Sequence, residues 1–128
     1  MTRKTILIVD DDRDLLIGLG LRLRTSGYQV IIAPSAAAAV SLARKQEPDL
    51  ILLDLGLPGA DGFDVLEQLE RLRLDHIPVV VLTARDHSYE ERSLRAGAVA
   101  FLQKPADNDE LLAVIESAIR GPGGVACA

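Results

Sequence analysis

The chain has 128 residues, 48% of them hydrophobic and 26% charged, which suits one globular domain able to bury roughly two thirds of its surface. A net charge of −5 leaves no basic stripe to displace counterions from phosphate, so direct nucleic-acid binding by this chain is not expected. No apolar run approaches the roughly 20 residues of a membrane span, no cleavable leader pattern opens the chain, and the single cysteine, Cys127, can form no internal disulfide; a reducing cytoplasm is the expected compartment.

Thr5 to Val9 is apolar and rich in β-branched residues and reads as a first buried strand, ending at Asp10-Asp11-Asp12. In Asp14 to Ser26 the apolar residues alternate like a strand at Ile17, Leu19, Leu21 and Leu23, yet Leu15, Leu16, Leu19 and Leu23 fit one helical face. Length, the preceding aspartates and the stop at Gly27 favour helix, although Gly18 and Gly20 each weaken it by about 1 kcal/mol relative to alanine. Tyr28 to Ile32 is a second strand. Ser35 then caps an alanine-rich helix that reaches Gln46 before Pro48.

Asp49 to Leu53 is a third strand, apolar throughout from Leu50 and closed at Asp54 by the turn-rich L-G-L-P-G-A-D-G. Gly62 to Leu74 predicts a third helix burying Val65, Leu66, Leu69 and Leu72, and Pro78 to Leu82 a fourth strand ending at Thr83. Asp86 to Ala96 is a poor helix: Tyr89 and Leu94 are its only large apolar residues, with Ser88 and Glu91 at capping-box spacing. So little burial implies a loosely held, mobile element. Val99 to Leu102 is a fifth strand ending near Lys104-Pro105. Asn108 to Arg120 is the clearest helix, with Leu111, Val114, Ile115, Ala118 and Ile119 on one face. Residues 1–120 thus read as one domain and 121–128 as a flexible tail or the start of a linker.

Strands alternating with helices predict an α/β fold, a parallel sheet covered on both faces. Parallel strands deliver their C-terminal residues to one edge, where open α/β sheets bind ligands. That edge receives Asp10 and Asp11, Asp54, Thr83 and Lys104. Carboxylates so placed repel one another unless a cation sits among them. A hard divalent ion suits an all-oxygen set, and Mg²⁺ best, because it takes a few carboxylates and shares phosphate oxygens. With the metal bound, Asp54 stays ionised and can attack phosphorus to form an aspartyl phosphate. Lys104 and the metal then neutralise the transferring oxygens, and Thr83 hydrogen-bonds the attached group.

I-L-I-V-D-D-D at 6–12, L-L-D-L-G-L-P-G-A-D-G at 52–62, V-L-T-A at 81–84 and F-L-Q-K-P at 101–105 resemble the receiver domain of bacterial two-component response regulators, the CheY-like family. The resemblance spans Thr5 to about Arg120 and implies a doubly wound, flavodoxin-like five-stranded sheet of order 2-1-3-4-5. It implies that Asp54 is the phosphoacceptor, that Asp11 binds Mg²⁺ directly and Asp10 through water, and that the Gly56 backbone carbonyl is a further metal ligand. Thr83 matches the switch hydroxyl and Lys104 the phosphate-pairing lysine, followed by a cis bond to Pro105. Phe101 matches the aromatic that turns inward on activation. Gly56 and Arg85, two residues beyond Asp54 and Thr83, flank the path of the hydrolytic water; the first leaves it open and the second partly covers it.

The partners implied are a histidine kinase or histidine phosphotransfer domain upstream and an output domain or protein downstream, reached through the face of the fourth helix, fifth strand and last helix. That helix lacks the charge-rich pattern of winged-helix regulator dimers, so a homodimer stays open. Such a domain is not an enzyme beyond its own phosphorylation and slow dephosphorylation. A haloacid-dehalogenase-type phosphatase needs a second aspartate where Gly56 stands, and a nucleotide or flavin module needs a glycine-rich phosphate loop or aromatics that are missing here. Asp12 reads as a helix cap and His76 and His87 as surface residues. Cys127 reads as an unactivated tail thiol, and Arg71, Arg73, Arg92 and Arg95 as solvated helix faces.

Overall fold

The computed structural model describes residues 3–126, with side chains up to 121. Five parallel strands form one sheet: β1 (Thr5–Val9), β2 (Gln29–Ala33), β3 (Leu50–Leu53), β4 (Val79–Thr83) and β5 (Ala100–Gln103), in the order β2-β1-β3-β4-β5. This is the expected 2-1-3-4-5 arrangement. The helices are α1 (Arg13–Thr25), α2 (Ala36–Gln46), α3 (Gly62–Arg71), α4 (Glu90–Arg95) and α5 (Asn108–Ala126). A two-residue antiparallel ribbon, Gly56–Leu57 with Ala60–Asp61, joins β3 to α3. Cys127 lies outside the described residues.

Alternation along the central strands divides the core in two. Leu7, Val9, Ile51, Leu53 and Val79 face α2 and α3, where Ala39, Ala43, Val65, Leu66 and Leu69 meet them. Ile6, Ile8, Leu50, Leu52, Val80 and Leu82 face α1 and α5, against Leu16, Leu19, Leu23, Leu111 and Ile115. The period of α1 is therefore helical: Leu16, Leu19 and Leu23 are buried, while Ile17 and Leu21 are 62% and 63% exposed. A third, small cluster of Leu55, Val81, Ala98 and Phe101 sits beside α4.

Two elements depart from expectation. Helix α3 stops at Arg71, short of Leu74, and Leu72 is 41% exposed rather than core. Arg73 adopts a left-handed φ of 59°, and the Leu74 and Arg73 N–H groups bond back to the Leu69 and Glu70 carbonyls at 2.8 and 3.0 Å. This is a Schellman closure made without glycine, which folds Leu74 back onto the core. Near α4, a 3₁₀ turn (His87–Tyr89) precedes a six-residue helix in which Ser93 alone is buried. The Ser88–Glu91 capping box does not form. Asp86 instead accepts from the Ser88 N–H at 3.0 Å, and Glu91 pairs with Arg95. Helix α5 breaks its helical path at Gly121 (φ 67°), and a further helical stretch runs to Ala126.

Candidate functional site

Each site residue stands at the C-terminal end of a strand. Asp10 follows β1 and its N–H donates to the Ala33 carbonyl at 3.1 Å; Asp54 follows β3 and its N–H donates to the Val9 carbonyl at 2.9 Å. The sheet's own hydrogen bonding thus continues one residue past each strand and fixes both carboxylates in adjacent positions. Asp10 is 2% exposed and Asp54 8%, while Asp11 faces solvent. One oxygen from each of these three carboxylates lies within 4.8 Å of the others.

Lys104, just past β5, reaches this group. Its Nζ donates to Asp10 Oδ2 at 2.6 Å and lies 3.6 Å from Asp54 Oδ2. The Asp12 N–H donates to the other Asp10 oxygen at 2.9 Å, and the Gly56 N–H donates to Asp54 Oδ1 at 3.2 Å. Asp12 itself caps α1 through the Leu15 N–H at 3.2 Å. Burial pushes the Asp10 carboxyl above its ordinary 3.8, and repulsion from Asp54 adds to this, against hydrogen bonds from Lys104 and the Asp12 N–H. For Lys104 burial acts downward, but the hydrogen bond to Asp10 and the charges of Asp54 and Asp10 together outweigh it and raise the ammonium above 10.5.

Thr83 is 1% exposed, and its Oγ1 accepts the Arg85 N–H at 3.4 Å. Phe101 is buried among Leu55, Val81 and Ala98, with the His87 ring tilted against it at 5.8 Å between centroids. The Lys104–Pro105 peptide bond is cis. His87, read from sequence as a surface residue, is exposed and yet touches the Phe101 ring.

Three oxygen donors suit a small hard cation. In an octahedral Mg²⁺ site with bonds of about 2.1 Å, neighbouring oxygens lie about 3 Å apart and opposite ones about 4.2 Å. The limit of 4.8 Å within which the three donor atoms lie is close to that range.

The model of the response regulator receiver domain matches residues 6–116. The chain belongs to this family. Among curated relatives, it is 41% identical over 116 residues to the transcriptional regulatory protein KdpE of Mycobacterium tuberculosis, covering 90% of this chain and 50% of KdpE. Protein PilH of Pseudomonas aeruginosa is 36% identical over 118 residues, covering 91% of this chain and 98% of PilH. The chain spans about half the length of the transcriptional regulators it matches. Among solved structures, a CheY-like receiver domain protein from Methanospirillum hungatei superposes with a TM-score of 0.85 at 32% identity, covering 92% of this chain and 94% of that one. A response regulator from Chloroflexus aurantiacus gives 0.88 at 33%, covering 94% and 100%. Receiver domains are the phosphorylation switches of two-component systems and work between histidine kinases and output domains. No described helix is long and apolar enough to cross a membrane.

Two residues of the 52–62 segment were given no role in the sequence reading. Gly62 opens α3 against the site: a Cβ there would fall 2.6 Å from the Asp54 carbonyl oxygen and 2.7 Å from Leu55 Cα. Asp61, beside it, caps α3 in a capping box with Asp64 and pairs with Arg85 at 3.3 Å. The D-G step after the turn is the signal that could have drawn attention to both.

Proposed function

We propose that this receiver domain takes a phosphoryl group onto Asp54 from the phosphohistidine of a histidine kinase or histidine phosphotransfer domain. The observation that carries the reading is the meeting of Asp10, Asp11 and Asp54 with Lys104, drawn from three separated strand ends. A buried carboxylate cluster is costly unless cations compensate it, which argues for a site built to receive charge.

In the proposed transfer an Asp54 carboxylate oxygen attacks phosphorus, the nitrogen–phosphorus bond breaks, and the imidazole leaves with the electron pair. Asp10, Asp11, Asp54 and the Gly56 carbonyl would hold Mg²⁺, which when bound supplies positive charge against the phosphoryl oxygens. Lys104 moves its hydrogen bond from Asp10 towards the new phosphoryl oxygens. The Thr83 hydroxyl donates to one of them, and Phe101, already buried beside α4, repacks in response. The surface of α4, β5 and α5 is thereby altered for an output domain or partner. The effect is a shift between two states, bounded by how much better the phosphoryl group binds the active one.

Residues 1–120 form the receiver unit in this reading, and 121–128 a flexible tail or the start of a linker. The chain itself binds no nucleic acid and works in the cytoplasm. Incubation with acetyl phosphate and Mg²⁺ should add one phosphoryl mass, and Asp54→Asn should abolish the gain. Uptake by the asparagine variant at the native rate overturns the assignment.

A further inference from the structure

We propose that the outer face of α1 is the contact surface of a weak homodimer, in which the α1 helices of two copies of this chain lie antiparallel about a two-fold axis.

Six large hydrophobic side chains are exposed among the described residues, and three of them belong to one side of the molecule. Ile17 and Leu21, 62% and 63% exposed, stand four positions apart on α1 and so share a face. Ile32, 46% exposed, lies on the edge strand β2 beside that helix. It pairs in register with Ile8, whose side chain faces the α1 layer. Two residues before it, Val30 meets the helix: a Cβ on Gly20 would fall 3.6 Å from Val30 Cγ1. Together the three side chains expose on the order of 300 Å² of apolar surface, a size at which a patch on a monomer signals an interaction site. Helix α1 packs over β1 and β2, the half of the sheet away from β5, so this face is separate from that of α4, β5 and α5.

The charges on the same face identify what covers it. Asp14 and Arg24 are exposed and enter no ion pair among the described residues. Asp14, Ile17, Leu21 and Arg24 are spaced by three, four and three positions, which confines them to an arc of about 80° on α1. The strip reads acid, apolar, apolar, base, and reversed it is its own complement. The antiparallel alignment that sets Ile17 against Leu21 of the second copy also sets Asp14 against its Arg24, and symmetry makes each contact twice. A parallel pair would set each charge against its own kind, which is repulsive.

The helix dipole accounts for an acid in the first turn of α1 and bases in its last. It does not account for two large apolar side chains left in water between them. One helix face with Ile32 at its flank falls short of the roughly 800 Å² per partner of a stable complex, so the dimer is reversible and forms in the micromolar range.

Charge reversal tests the arrangement. Sedimentation velocity of the native chain from about 5 to 500 µM should show the mean mass rising from one chain towards two. D14R and R24D each set like charges against one another in the dimer and should weaken it about tenfold. L21N removes half of the apolar centre and should weaken it by about tenfold as well. Mixed one to one, D14R and R24D should associate at least as tightly as the native chain, because every charged contact between the two variants joins opposites. A lost fold cannot produce that rescue, and circular dichroism checks each variant alone. A native chain that stays monomeric across the range, single charge variants as tight as native, or a mixture that fails to recover overturns the dimer.

Discussion

The Lys104 ammonium donates to Asp10 at 2.6 Å across 94 positions of sequence, closer than it approaches Asp54. This lysine is a cation for the carboxylate cluster, and burial nevertheless pushes the Asp10 carboxyl above its ordinary value. An incoming metal or phosphoryl group therefore competes with a contact already made.

The pH response follows from the burial of this carboxyl. A carboxyl whose folded pKa is raised contributes most to stability below its unfolded value and loses that contribution as pH rises through the folded one. For Asp10 the loss begins near 3.8 and extends upward. Asp10→Asn should therefore lack this part of the pH dependence and be more stable than the native chain at neutral pH without metal. Urea denaturation across pH, with and without Mg²⁺, measures it. Mg²⁺ at a hundredfold excess over its dissociation constant should stabilise the native domain by about 2.7 kcal/mol and Asp10→Asn far less. Equal stabilisation of both proteins would remove Asp10 from the metal site.

Gly62 makes a sharper steric prediction. The backbone of Asp54 and Leu55 blocks any side chain there, and neither contact is the free end of a flexible group. Gly62→Ala should destabilise the domain by about 1–3 kcal/mol, the usual cost of overpacking, and weaken Mg²⁺ binding by displacing Asp54. Gly18→Ala, in α1, is the control, since a Cβ there meets nothing within 4 Å. Chemical denaturation and metal titration read both effects.

Helix α4 is tethered to α3 by a contact that substitution can remove cleanly. The Arg92 guanidinium stacks 3.8 Å above the Phe63 ring, a contact worth about 0.5–1 kcal/mol at a partly exposed site. Arg92→Ala should leave the global melting temperature within a few degrees of native and speed amide exchange in residues 90–98 several-fold. Exchange unchanged there would mean that the ring contact does not restrain the helix.

The parts of this molecule legible in its sequence are those governed by short-range rules. Runs such as Ile6 to Val9 and Leu50 to Leu53 can only be buried strands, and the polar residue ending each one lands on a common edge because the connections force the strands parallel. The end of α3 was hidden because Arg73 takes a left-handed conformation that glycine usually signals. The capping of the 3₁₀ turn by Asp86, in place of a Ser88–Glu91 box, was a choice between two acceptable local patterns. The Asp61–Arg85 pair and the place of Gly62 depend on which loops the sheet order sets side by side. No spacing in the chain encodes that.

The core is unevenly thick. Two broad apolar layers grip the sheet through α1, α2, α3 and α5, whereas the corner cluster has only four buried side chains, Phe101 among them. On the proposed reading, a phosphoryl group on Asp54 would load such a body unevenly. Deformation collects at its most compliant joint, so the direction of the response is written into where the packing is thin.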